Sequence, residues 1–201
     1  MAGYTIPHLI GLAGTNGSGK DTVGRILADD YGFCFISVSD ILRDELRRRG
    51  LPLSREQMRT LSAAWRREHG QGVLVEMALK MFATQADRFA GLALASLRNP
   101  GEADAVHAHA GLVIWIDANP ELRYRRLQIN AAARGEQRAI DDRKSFAAFM
   151  HDEAAEMHSI GGDANTLSMD DVKTKCDLTI INDSDDLEKL KTALRQQLIH
   201  P

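Results

Sequence analysis

Cysteine is scarce in this 201-residue chain, and the two that occur, Cys34 and Cys176, form neither a disulfide framework nor a zinc-ligand set. Cys34 stands in an apolar run and reads as a small packed hydrophobe. Aromatic residues make up only 5%. No apolar run reaches membrane-spanning length, and the first residues lack the charged-then-apolar plan of a secretory leader. No strong charge bias exists either: the formal net charge is -3, which gives no global attraction to nucleic acid or to a membrane surface. There is no internal repeat and no low-complexity tract. The expectation is a cytoplasmic protein, a monomer or homodimer, with no nucleic-acid or membrane partner.

What is present is ordinary globular composition, 44% apolar and 26% charged, enough for the core of one domain over residues 1–201. Short apolar runs alternate with helical patterns, the order of a parallel α/β sheet. Strands are expected at Leu9 to Ala13, Phe33 to Val38, Phe89 to Ala95, Leu112 to Ile116 and Leu178 to Ile181. Each is nearly all apolar, as strands covered on both faces must be. Helix signals are clear. Asp40 reads as a cap, Ser54-x-x-Gln57 as a capping box, and Asn99-Pro100 and Asn119-Pro120 as cap followed by proline. Leu74, Met77, Ala78, Met81 and Phe82 form one apolar stripe, and Ser184 opens a last helix. The polar stretch from about 134 to 176 has the weakest strand signal and reads as a lid-like insert.

Gly14-Thr15-Asn16-Gly17-Ser18-Gly19-Lys20 spells G-x-x-x-x-G-K between an apolar strand and a helical pattern. Glycines let the backbone wrap a polyphosphate, the helix that follows aims its partial positive charge at the same place, and Lys20 lies along the β- and γ-phosphates. The position after the lysine is Asp21, and the hydroxyl expected to serve Mg²⁺ comes one later, at Thr22. Asp21 would repel a polyphosphate, so its carboxylate is expected to turn outward or to cap the helix. Ligands of such sheets gather at the carboxyl ends of the strands. Arg43 and Arg98 follow strands two and three and suit a phosphate because a guanidinium is planar and always charged. Asp117, ending strand four, is read either as a metal-assisting acid or as a turn former ahead of Asn119. Trp65 reads as a core residue or a ring that stacks on a base, Arg66 and Arg67 as solvated or as phosphate contacts, and Asp152, Glu153 and Glu156 as a solvated face.

With these residues the chain resembles the nucleoside monophosphate kinases, adenylate kinase above all. The order Gly-Lys-x-Thr matches that family. Ser39-Asp40-Ile41-Leu42-Arg43 matches its segment that holds the acceptor phosphate, and Arg98 falls on a second family arginine. Arg134 and Arg138, ahead of Asp141 and Asp142, resemble its lid element, with Arg134 closing on ATP and Arg138 catalytic. Asn182-Asp183-Ser184 falls where adenine is contacted. Over length the chain is also similar to archaeal proteins resembling dephospho-CoA kinase. It departs at Ser96, where relatives place a metal-organising acid. The resemblance implies a three-layer α/β/α sandwich with a five-stranded parallel sheet and small helical lid. It implies ATP and Mg²⁺ as cofactors and phosphoryl transfer to a small phosphate acceptor. The donor is then held by Gly14 to Thr22, the acceptor by Asp40, Arg43 and Arg98, and the metal by Thr22 and Asp117. Asp40 is the candidate base for a hydroxyl acceptor. A nucleotide-dependent binding protein without transfer is the other reading.

Overall fold

The computed structural model describes residues 6–130 and 144–199. Arg134, Arg138, Asp141 and Asp142 lie outside the described residues. Five parallel strands, β1 (Leu9–Gly14), β2 (Cys34–Ser37), β3 (Leu92–Leu97), β4 (Leu112–Asp117) and β5 (Leu178–Ile181), form one sheet in the order β2-β3-β1-β4-β5. Helices cover both faces. They are α1 (Lys20–Tyr31), α2 (Val38–Arg48), α3 (Arg55–His69), α4 (Val73–Ala83), α5 (Pro100–Ala108), α6 (Pro120–Asn130), α7 (Phe146–Met157), α8 (Met169–Thr174) and α9 (Leu187–Ile199).

Alternation along the strands explains the two-sided core. Ile10 and Leu12 of β1 pack with Val23, Ile26 and Leu27 of α1 and with Leu190, Leu194 and Leu198 of α9. Leu9 and Ala13 face α2 to α5 and, through Met169 and Val172, α8. Each fully buried leucine or isoleucine contributes roughly 1.5–3 kcal/mol, so neither layer is dispensable. The expected apolar stripe of α4 is narrower than its spacing suggests: Leu74 and Ala78 are buried, Val75 joins them, and Met81 is 49% exposed.

Strand β3 begins three residues later than its apolar pattern predicts and carries an irregularity. Leu12 pairs with Ala95 but Ala13 pairs with Leu97, leaving Ser96 unpaired at φ +72°. This bulge turns Leu97 back to the face of Leu92 and Leu94, where period-two alternation would have put Ser96. Two helix starts also differ from the sequence reading. Helix α2 begins at Val38 after Ser37, so Asp40 lies in its first turn rather than at the cap. Helix α9 begins at Leu187, with Asp186 accepting the Glu188 N–H at 3.0 Å, three residues after Ser184.

Candidate active site

The carboxyl ends of β1, β3 and β2 surround two neighbouring hollows. One is an open cleft of about 540 Å³ lined by Gly17, Gly19, Lys20, Asp21, Thr22 and residues of the β5–α9 connection, including Asn182 and Ser184. The other, a narrower cavity, is lined by Asn16, Lys20, Asp21, Arg43, Arg55, Arg59, Arg66, Ser96, Arg98 and Glu156 beside apolar Val38, Leu42, Leu53, Met58 and Leu167. Lys20 and Asp21 line both.

The loop between β1 and α1 has the shape that a polyphosphate requires. Gly19 stands before α1 at φ +99°, and a Cβ there would come within 2.4 Å of Asn182 Nδ2; Gly17, at φ +80°, would meet the Arg123 carbonyl oxygen at 2.6 Å. Only glycine takes this path without strain. No side chain caps the N-terminus of α1, which leaves its first N–H groups for an anion. Thr15 Oγ1, Ser18 Oγ and Asp21 Oδ1 are buried with no hydrogen-bond partner among the described residues. Buried polar atoms are ordinarily paired, so three orphans around one loop mark a seat built for a ligand. Asn182 donates to the Ser18 carbonyl at 2.8 Å and pins the loop from β5. The buried Lys20 Nζ lies 3.3 Å from the Thr15 carbonyl oxygen.

Asp21 therefore neither turns outward nor caps α1; it faces inward at the junction of the two hollows. Thr22 lines the cleft next to it. Arg43 and Arg98 both reach the narrow cavity, although they come from different strands. Arg43 is held by Asp40 at 2.5 Å, while Asp40 itself is 64% exposed and lines neither hollow. That position does not serve a base for an acceptor, because the α2 start places Asp40 on the solvent side. Asp117 also lies apart. It ends β4, receives the Ala118 N–H at 2.9 Å and faces Lys173 Nζ at 3.5 Å, and it lines neither hollow. Of its two sequence readings, the turn former matches these contacts.

Three residues that read as solvated are drawn inward: Arg66 and Glu156 are buried and Glu153 is partly buried. Arg66 is 2% exposed. It donates from Nη2 to Glu102 Oε1 at 2.7 Å, and to Ser62 Oγ and the Asn165 carbonyl. Glu102, fully buried, uses its other oxygen to accept the Arg98 N–H at 2.7 Å and the Asn99 N–H at 3.2 Å. This closes the capping box of α5 and fixes the turn that presents Arg98. Glu153 of α7 accepts from both terminal nitrogens of Arg123, whose backbone underlies Gly17. Glu156, one turn further, receives Arg59 at 2.5 Å and also Arg98. Burial pushes the Glu156 carboxyl up, but Arg98, Arg59 and Arg55 outweigh it and hold the group down at about 2. Glu156 is thus an anion at any ordinary pH. Only the density of arginines in the sequence hinted that these carboxylates would be drawn inward.

The fold is that of the P-loop kinases. Shikimate kinase from Acinetobacter baumannii, solved in complex with shikimate, superposes with a TM-score of 0.54 at 17% identity, covering 97% of this chain and 94% of that one. Shikimate kinase from Bacteroides thetaiotaomicron gives 0.55 at 17% identity over 96% and 98%. The chain belongs to the AAA domain family, whose profile matches residues 13–147. It is similar to a UPF0200 protein of Thermococcus sibiricus, 29% identical over 145 residues that cover 70% of this chain and 72% of the relative. A UPF0200 protein of Methanococcus vannielii is 26% identical over 96% of this chain and 97% of its own length. Among the described residues, no helix is long and apolar enough to cross a membrane.

Proposed function

We propose that this chain is an ATP-dependent phosphotransferase acting on a small phosphorylated acceptor, a nucleoside monophosphate first and dephospho-CoA as the alternative. One observation carries the reading: a glycine-built anion cradle and an arginine-lined cavity share Lys20 and Asp21 as a common wall. Phosphoryl transfer needs little more than two phosphates held in line with positive charge on their oxygens. The open cleft takes the triphosphate along the Gly14–Thr22 loop, with its base toward Asn182 and Ser184. The cavity takes the acceptor phosphate on Arg43 and Arg98, and its apolar wall of Val38, Leu42, Leu53 and Met58 takes the acceptor body.

Asp21 and Thr22 present oxygen atoms suited to Mg²⁺, and the orphaned Asp21 oxygen fits such a ligand. Bound Mg²⁺ would neutralise charge on the β- and γ-oxygens. Asp117 has no part in this reading. A phosphate acceptor is already ionised and needs no base, which agrees with an exposed Asp40. We assign Arg134 and Arg138 to a lid that shuts out water; the lid expected over 134–176 does not extend through α8, because Met169 and Val172 are buried in the core. Ser96 favours a second reading, a nucleotide-binding switch, because its buried hydroxyl stands 3.4 Å from Ser37 Oγ where the nucleoside monophosphate kinases that the sequence resembles place an acid.

The test is ADP release from ATP and Mg²⁺ with a panel of nucleoside monophosphates and dephospho-CoA. The expected result is ADP formation at least tenfold faster with one acceptor than with none. Binding of ATP with no acceptor-dependent ADP would overturn transfer in favour of the switch.

A further inference from the structure

Among the described residues five arginines line the acceptor cavity, and one internal carboxylate is already seated on two of them. Glu156 Oε2 receives Arg98 Nη1 and lies 3.4 Å from Asn16 Nδ2, while Oε1 receives Arg59 Nη2. Arg98 spans to the phosphate loop with its other nitrogen, donating to Asn16 Oδ1 at 2.7 Å. The carboxylate therefore bridges three elements: α3 through Arg59, the end of β3 through Arg98, and the loop after β1 through Asn16. An acceptor phosphate held on Arg98 competes with Glu156 for that guanidinium. A carboxylate on paired guanidinium groups has the charge sign, fork geometry and hydrogen-bond demand of such a phosphate.

We propose that Glu156 is a resident anion in the acceptor seat, displaced when the acceptor's phosphate binds. This inference rests on the phosphotransferase reading. A phosphomonoester carries about −1.5 to −2 charge and three strong acceptor oxygens against one charge and two oxygens for Glu156, so it wins the arginines when bound. Only the side chain has to leave. Helix α7 is anchored independently by the Arg123–Glu153 pair, by Phe149 beneath the Arg123 guanidinium at 5.5 Å, and by the edge-on contact of Tyr124 with Phe146 at 5.4 Å. In the absence of acceptor the buried Glu156 carboxylate pairs with the partly exposed Arg59 and Arg98, so neither it nor they are left without a counter-charge. It also sets a threshold, because apparent affinity falls by the fraction of molecules in which the seat is open.

The test is calorimetric titration of inorganic phosphate into the full chain, with its donor cleft saturated by a non-hydrolysable ATP analogue and Mg²⁺. Glu156→Gln should tighten phosphate binding by at least about tenfold, since a seat filled more than nine-tenths of the time lowers affinity by that factor. Adding Arg98→Ala to Glu156→Gln should abolish the gain. Glu156→Asp, one methylene shorter with its charge kept, gives an intermediate gain and serves if the glutamine variant fails to fold. Equal or weaker phosphate binding in the folded variants would overturn the inference, marking Glu156 as a strut. Titration of the analogue itself is the separate control: if it does not bind the wild type, the phosphotransferase reading fails instead.

Discussion

Replacing Lys20 by alanine is expected to lower acceptor-dependent ADP formation by at least about 10³-fold while the folded state survives. Among the described residues Lys20 is the one cation that lines both the cleft and the cavity, which in the proposed transfer places it along the path of the moving charge. Removing a single preorganised donor from a charge-stabilising site costs 10²–10³ in turnover, and a full ammonium on the transferring group belongs at or above the upper end, about 4 kcal/mol. Stability behaves differently. The Lys20 ammonium is buried, with a bond of 3.3 Å to the Thr15 carbonyl, and its own desolvation offsets most of what that contact gives. Turnover and thermal unfolding should be measured on the same preparation. Retained turnover, or a variant that is inactive only because it is unfolded, would contradict the role.

The second large effect concerns stability. Glu102→Gln removes the negative charge that faces Arg66, and both side chains are almost completely shielded from water, 0% and 2% exposed. An uncompensated buried guanidinium costs about 3–5 kcal/mol. The amide of glutamine would also offer one acceptor where the carboxylate oxygens now take Arg66, the Arg98 N–H and the Asn99 N–H. Urea unfolding should therefore show a loss of that size, together with a weaker grip on the acceptor because the Arg98 turn loosens. A control separates charge from packing: the paired change Glu102→Met with Arg66→Met should cost less than Glu102→Gln alone. A loss below about 1 kcal/mol for Glu102→Gln would show that the pair is not the clamp inferred from its burial.

The frame of the molecule was legible from local pattern. A strand, a glycine loop, a lysine and a helix in register put Gly14 to Thr22 where they were expected, and apolar runs fixed all five strands to within three residues. Caps with a local partner were legible too: Asn99 with Glu102, and Ser54, whose side chain accepts the Gln57 N–H at 3.2 Å. What escaped the sequence were features decided by distant partners. Glu156 reads as a solvated acid until α7 is laid beside Arg98, 58 positions away, and Arg66 reads as surface until Glu102 is brought to it from 36 positions on. Asp21 looked repulsive beside a phosphate, yet its place at the junction of two hollows follows from the first turn of α1 and not from its neighbours in sequence. The bulge at Ser96 was invisible because period-two alternation admits an extra residue without changing composition. Asp40 misled for the reverse reason, since a shift of three residues in a helix start, from a cap at Asp40 to one at Ser37, turned it to solvent.

Phosphoryl transfer by this chain requires that the loop after β1 seat a nucleoside triphosphate. Calorimetric titration of a non-hydrolysable ATP analogue with Mg²⁺ into the full chain tests this directly. One saturable site is predicted, with affinity in the micromolar to low millimolar range and lost in Lys20→Ala. No heat of binding at millimolar analogue from a folded protein would contradict it.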